Sequence, residues 1–149
     1  MIYFEDLEVG RDAYFGSYEV TREEVLEFAG KYDPQAFHLS DEAAAKTHFG
    51  RLAASGWHTC AMTMAVIVQH LSKGEGQAGL GSPGVDELRW LKPVFPGDML
   101  HVHGKVVEKT PSRSKPDIGA YRSEMTVTNQ NDESVMRFTS IVLIRRRPA

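Results

Sequence analysis

The chain has 149 residues, of which 42% are hydrophobic and 25% are charged, and its formal net charge is -3. These values are typical of one globular domain, and we expect residues 1–149 to fold as a single domain. The small negative charge favours neither a nucleic acid nor a membrane as partner. The single cysteine, Cys60, excludes an intrachain disulfide and a zinc site built from several cysteines.

No apolar run is long enough to span a bilayer, and the N-terminus lacks the basic and apolar regions of a signal peptide. We therefore expect a cytoplasmic protein.

In the first half of the chain, residues that break regular structure separate one predicted strand from two predicted helices. A strand is expected at Ala13–Val20, and Thr21 to Glu24 has the form of a capping box. Apolar residues at helical spacing predict a helix over 22–31, which Asp33-Pro34 ends. A short helix is expected at 40–46.

The second half combines one long helix with strands. The run from about Gly56 to Leu71 has apolar residues on nearly all sides, which predicts a buried helix. Alternating and continuous apolar runs then predict strands at 85–90, 99–108, 121–128 and 134–145. The expected fold class is α+β, an antiparallel sheet wrapped around the central helix. Its open edges favour a dimer that joins two sheets.

Asp33 and His38 are the first candidates for chemistry. A carboxylate and an imidazole can together hold and activate one water molecule. The helix that begins at Gly56 could hold a developing oxyanion at its N-terminus. Spacing alone leaves a second interpretation open, in which Asp33 makes a turn before Pro34 and His38 is a loop residue.

In its context this pair resembles the MaoC-like dehydratases and (R)-specific enoyl-CoA hydratases of the hotdog fold. The resemblance rests on Asp33-x4-His38, the Phe49-Gly50 corner, the small residues that lead into Ser55-Gly56, and residues 89–98. It implies that Asp33 and His38 activate a water, while the N–H of Gly56 holds the thioester oxygen. The implied reaction is the reversible hydration of a 2-enoyl thioester, carried by CoA or acyl carrier protein. A homodimer or larger homo-oligomer is expected, with no cofactor or metal because the reaction moves only water.

Other side chains are predicted to bind the substrate. Phe37, Ser55, Trp57 and His58 lie beside the catalytic positions in the sequence. The basic residues Arg113 and Lys115 could close on a phosphate.

The sequence departs from the family pattern at two points. Many members have Asp-x-Asn-Pro-x-His, whereas residues 34–37 here are Pro-Gln-Ala-Phe, so Gln35 would replace the Asn amide. The hydroxyl that assists the Asp in some members has no clear equivalent, and Thr59 or Thr63 are the nearest candidates.

Three further motifs have ordinary interpretations. Residues 74–79 match G-x-G-x-x-G, but they follow a helix and precede a strand, so a connector is expected. His101 and His103 share a strand face without a third metal ligand in the pattern. The arginines at 145–147 are attributed to solubility.

Two alternatives to a hydratase remain open. A thioesterase on the same fold would also use a carboxylate and a helix N-terminus, but it would attack the carbonyl carbon. A non-catalytic subunit would bind an acyl thioester without turnover.

Overall fold

A five-stranded antiparallel sheet and one long helix form the framework of the protein. A computed structural model describes all 149 residues. The strands lie in the order β1-β3-β4-β5-β2, and every neighbouring pair is antiparallel. The elements are β1 (Asp12–Glu19), α1 (Arg22–Tyr32), α2 (Asp41–Ala45), α3 (Gly56–Lys73), β2 (Gly84–Trp90), β3 (Met99–Pro111), β4 (Ile118–Thr128) and β5 (Ser134–Arg145).

This architecture confirms the prediction of an α+β hotdog fold, in which a sheet wraps around one helix. Each predicted helix and strand is present within three residues of its expected bounds. The loop between the strands expected at 99–108 and 121–128 is shorter than these bounds imply, because β3 continues to Pro111 and β4 already starts at Ile118.

Only one of the two hydrogen bonds of the predicted capping box forms at the start of α1. The Thr21 side chain accepts the N–H of Glu24 at 3.2 Å. The Glu24 carboxylate does not return to Thr21 but accepts the Tyr18 hydroxyl at 2.9 and 2.7 Å. Asp33 is the C-cap of α1, where Pro34 prevents a further helical residue.

One face of α3 packs on the concave side of the sheet. Met62 and Val66 on this face are buried in the main core, together with Leu100, Val102 and other strand residues. The approach is closest at Gly16, in a β-bulge of β1 with φ +134°, where an added Cβ would lie 3.4 Å from Val66. This packing fixes the axis of α3, and with it the position of its N-terminus.

The opposite face of α3 is open in a single chain. Trp57, Met64 and Val68 are 60%, 55% and 51% exposed. The predicted burial therefore holds for one face only, because a sheet with one concave side covers one side of a helix. The edge strand β2 is open too, with Trp90 46% exposed.

None of the helices combines the length and apolar character that crossing a membrane requires.

Candidate active site

Asp33 and His38 meet just beyond the end of α1. The chain turns through hydrogen bonds from Gln35 N–H to the Asp33 carbonyl (2.8 Å) and from His38 N–H to the Gln35 carbonyl (2.9 Å). A short 3₁₀ helix, Ala36–His38, then points the imidazole back towards the carboxylate. Asp33 Oδ2 lies 3.5 Å from His38 Nε2, and the two side chains are 17% and 6% exposed. The pair is sheltered but accessible.

The imidazole of His38 is held in one orientation. Its Nδ1 lies 2.7 Å from the carbonyl oxygen of Ala53. Because a carbonyl only accepts hydrogen bonds, Nδ1 carries the proton and Nε2 of the neutral ring has a free lone pair. The rings of Phe37 and Phe49 pack against the imidazole, with centroids 4.6 and 5.9 Å away. His38 thus presents an acceptor towards Asp33.

Both oxygens of the Asp33 carboxylate accept a hydrogen bond. The Ser55 hydroxyl donates to Oδ2 and the Gln35 amide donates to Oδ1, each at 2.7 Å. Burial raises the pKa of Asp33, but the hydrogen bonds from Gln35 and Ser55 and the positive charge of a protonated His38 outweigh it, so the pKa is lowered. Asp33 is therefore ionised at neutral pH and accepts hydrogen bonds only.

The hydroxyl that donates to Asp33 belongs to Ser55, whereas Thr59 or Thr63 were expected from the sequence. Ser55 occupies the N-cap position of α3, yet its side chain makes no cap hydrogen bond. Thr63 instead donates its hydroxyl to the Thr59 carbonyl at 2.8 Å. The Gln35 amide contacts Asp33, and its replacement of the family's Asn amide stays a prediction.

The start of α3 offers N–H groups that no side chain caps. His58 and Thr59 donate their backbone N–H to the Ser55 carbonyl at 2.9 and 3.1 Å, whereas no side chain accepts from Gly56 or Trp57. An 18-residue helix carries partial positive charge at this end. The first turn of α3 is therefore suited to an oxyanion next to Asp33 and His38.

The indole of Trp90 leaves no room for a side chain at position 56. Trp90 Nε1 donates to the Gly56 carbonyl at 3.0 Å, and a Cβ at position 56 would lie 2.5 Å from Trp90 Cε2. The ring of Trp57 packs edge-on against Trp90, with centroids 5.2 Å apart. The side of Gly56 that lacks a side chain thus faces Trp90.

Gly56→Ala is expected to lower turnover, because the new methyl group displaces Trp90 and shifts the first turn of α3. The double variant Gly56→Ala/Trp90→Ala separates two reasons for a glycine here, the contact with Trp90 and the approach of the substrate. The quantity measured is kcat/KM for the enoyl-CoA hydration that the family resemblance implies. Recovery in the double variant would assign the requirement to Trp90. Continued loss, with Trp90→Ala alone active, would assign it to substrate approach.

Ser55→Ala is expected to raise the pKa of Asp33, because it removes one of the donors that lower it. An NMR titration should then show the Asp33 carboxyl ionising at higher pH than in the wild type. A carboxylate with a lowered folded pKa stabilises the fold above its unfolded pKa of about 3.9, and this contribution is lost as the pH falls through the folded value. The loss of stability relative to the wild type should therefore be larger at neutral pH than at pH 3. An unchanged titration of the Asp33 carboxyl would contradict this role of Ser55.

The remaining predicted substrate residues fall into two groups. Phe37, Trp57 and His58 lie beside the pair or in the first turn of α3. Arg113 and Lys115 lie in the β3–β4 loop, beyond the far end of a 13-residue strand that spans about 40 Å. One chain does not bring these two side chains to Asp33, and their contact with a phosphate stays a prediction.

Two surface features have structural roles that the sequence left open. Arg146 and Arg147 pair with Glu5 and Asp6 at 3.0 and 2.6 Å, so they tie the C-terminus to the N-terminus and do more than keep the surface soluble. His101 Nδ1 contacts the Tyr14 hydroxyl at 2.9 Å.

Comparison with known proteins places this chain in a family. A model of the MaoC like domain matches residues 6–129. The chain belongs to the MaoC-like family. A crystal structure of a MaoC-like dehydratase from Rhodospirillum rubrum is 40% identical over 100% of both chains, with a TM-score of 0.90.

Other relatives of this MaoC-like protein have names that state an activity. A 3-hydroxybutyryl-CoA dehydratase of Methylorubrum extorquens is 33% identical, over 77% of this chain and 70% of its own. The structure of an R-hydratase from Pseudomonas aeruginosa has a TM-score of 0.75 and is 27% identical, over 99% of this chain and 92% of its own.

Proposed function

We propose that this MaoC-like protein is a hydro-lyase that reversibly adds water to a 2-enoyl thioester and forms a 3-hydroxyacyl thioester. One observation carries the proposal: Asp33 Oδ2 and His38 Nε2 lie 3.5 Å apart beside the N-terminus of α3. The dehydratase and R-hydratase names of the relatives support the same reaction class.

The two acceptor atoms of the pair suit a single water molecule. A water that donates one hydrogen to Asp33 Oδ2 and the other to His38 Nε2 directs an oxygen lone pair away from both. As this oxygen bonds to C3 of the enoyl group, one of its protons passes to the pair and the C2–C3 π electrons move towards the thioester oxygen. The pair then returns a proton to C2, so the net change is the addition of one water.

The first turn of α3 is proposed to stabilise the negative charge that develops on the thioester oxygen. The N–H of Gly56 can donate to that oxygen, and the positive helix end favours the enolate over the neutral carbonyl. Loss of one such donor in other enzymes lowers kcat about 100- to 1000-fold.

An absorbance assay with crotonyl-CoA tests this function. A hydratase removes the absorbance of the conjugated enoyl thioester without releasing thiol, which a thiol reagent measures in parallel. Thiol release without prior loss of the enoyl absorbance would establish a thioesterase instead. Calorimetric binding without either signal would establish a non-catalytic subunit. A panel of chain lengths, on CoA and on acyl carrier protein, would identify the acyl group and its carrier.

We also propose that two copies associate through α3 and β2. The exposed apolar side chains Trp57, Met64 and Val68 lie on one face of α3, and the ring of Trp57 contacts Trp90 of the open edge strand β2. A contiguous apolar surface beside an open edge favours a protein partner. Trp57 lies on this surface and in the first turn of α3, so a second copy would also form a wall of the substrate cleft. Cytoplasmic location remains a prediction from the sequence.

Met64→Glu is expected to convert this dimer into a monomer, because it places a charge in the middle of an apolar interface. Sedimentation velocity would detect the change in mass. Gln69→Glu adds the same charge at an exposed residue that lies about 100° around the axis of α3 from Val68, outside the proposed interface, and serves as the control. An oligomer that persists unchanged in Met64→Glu would place the interface on another surface.

A further inference from the structure

His58 is a buried polar side chain that the proposed reaction does not use. It is 4% exposed, and its Nδ1 is the one enclosed side-chain nitrogen or oxygen without a hydrogen-bond partner. An unpaired polar atom in the interior costs about 1–3 kcal/mol. A leucine or methionine would fill this position of α3 without that cost, so packing alone does not explain a histidine at position 58.

The surroundings of His58 place it between the two helices that build the site. Its ring stacks on Phe28 of α1, with centroids 4.7 Å apart and planes 7° from parallel. Phe28 precedes Asp33 by five residues, which is about 7.5 Å along the helix axis. Helical side chains lean towards the helix N-terminus, so the ring lies over the turn that begins at Gly56.

The two ring nitrogens of His58 differ in their surroundings. Nδ1 is enclosed, whereas Nε2 has no hydrogen-bond partner within the chain and is not among the enclosed atoms. Buried N–H groups without an acceptor are rarer than acceptors without a donor, which favours the tautomer with its proton on Nε2. His58 then presents an N–H donor to accessible space beside the site.

The charge around His58 limits what this donor can bind. Burial lowers the pKa of His58, and the nearby Glu24 carboxylate opposes this only in part, so the ring is neutral. Glu24 also holds the hydroxyl of Tyr18 from β1. A neutral donor beside a carboxylate disfavours an anionic group and suits an uncharged oxygen.

We infer that His58 is a specificity-determining residue whose Nε2–H binds an uncharged oxygen, a hydroxyl or keto group, on the acyl chain beyond the two reacting carbons. The inference rests on the proposed function, because that function places the thioester oxygen at Gly56 and the reacting carbons at Asp33 and His38. Phe28, on which the His58 ring stacks, is offset along α1 from Asp33, and this offset puts the bound oxygen a few carbons further along the acyl chain. The substrate class is an oxygen-substituted enoyl thioester in preference to a plain alkyl one.

Paired substrates test the inference by turnover. We expect wild-type kcat/KM to be about tenfold higher for trans-4-hydroxy- or trans-5-hydroxy-2-hexenoyl-CoA than for trans-2-hexenoyl-CoA. His58→Leu should abolish this preference, and His58→Gln, which keeps an N–H donor, should retain part of it. Met62→Leu on the same helix changes shape without polarity and should leave the ratio unchanged. An equal ratio in wild type and His58→Leu would overturn the inference.

A binding measurement separates this inference from the proposed function. Calorimetric Kd values for hexanoyl-CoA and 5-oxohexanoyl-CoA, neither of which can be hydrated, report recognition without catalysis. Tighter binding of the keto thioester by wild type, but not by His58→Leu, would support the role of His58 even if no enoyl thioester were turned over. Equal affinities in the wild type, or no binding of either thioester, would overturn it. The wild-type and His58→Gln comparisons decide the question if His58→Leu does not fold.

Discussion

Asp33→Asn is expected to lower kcat/KM for crotonyl-CoA hydration about 100- to 10,000-fold, the range for loss of a positioned acid–base group. The variant keeps the shape of the side chain and an oxygen that can accept from the Ser55 hydroxyl. It lacks the negative charge, and its amide NH₂ group replaces one of the two acceptor oxygens of the carboxylate. A water bound between residues 33 and 38 would keep an acceptor at the position of Oδ2, but the neutral amide oxygen is too weak a base to take its proton.

The fold should tolerate this substitution. The Gln35 amide, which now donates to Asp33 Oδ1, can rotate to present its oxygen to the new NH₂ group. Thermal unfolding should confirm a folded protein. Asp12→Asn on the edge strand β1, at a side chain that is 88% exposed, makes the same chemical change away from the site and should leave turnover intact. Turnover by Asp33→Asn at the wild-type rate would refute the assignment of Asp33.

The elements of this fold could be predicted from the sequence because their signals are local. Capping by Thr21, the break at Pro34 and the alternation of strand residues act within a few positions. The bounds of α1 and α3 follow from these signals to within two residues. The pairing of β2 with β5 and of β1 with β3 depends on contacts between distant segments, which a single sequence does not encode in any local pattern.

The candidate site was predictable only as far as its residues lie close together in sequence. Asp33 and His38 are five positions apart, and the turn between them is short. The Ser55 hydroxyl reaches Asp33 across 22 positions, and a serine before a helix ordinarily caps that helix. The local sequence pattern does not indicate that the Ser55 side chain instead donates to a carboxylate on another helix.

Two further features depend on the packing of whole elements. The reason for a glycine at position 56 lies in Trp90, which comes from the edge strand β2. The distance of Arg113 from the site follows from the length and direction of β3. Both relations require the register of the sheet and the position of α3 on it.

Two substitutions at His38 can separate its chemistry from its structural role. His38→Ala removes the partner of the Ala53 carbonyl, and that fully buried group then costs about 1–3 kcal/mol of stability. His38→Asn places an amide N–H close to the position of Nδ1 and can keep this hydrogen bond. Only the wild type has a basic nitrogen at the position of Nε2, 3.5 Å from Asp33.

We therefore expect both His38 variants to lose about 100- to 10,000-fold in kcat/KM, whereas only His38→Ala loses substantial stability in thermal or urea unfolding. His48→Asn, at an exposed histidine near the site, is the matched control and should retain activity. If His38→Asn turned over like the wild type, Nε2 would have no part in proton transfer, and His38 would act only by holding the loop to Ala53. If instead both variants are inactive and His38→Asn is stable, the imidazole acts on the water, because its remaining contact is preserved.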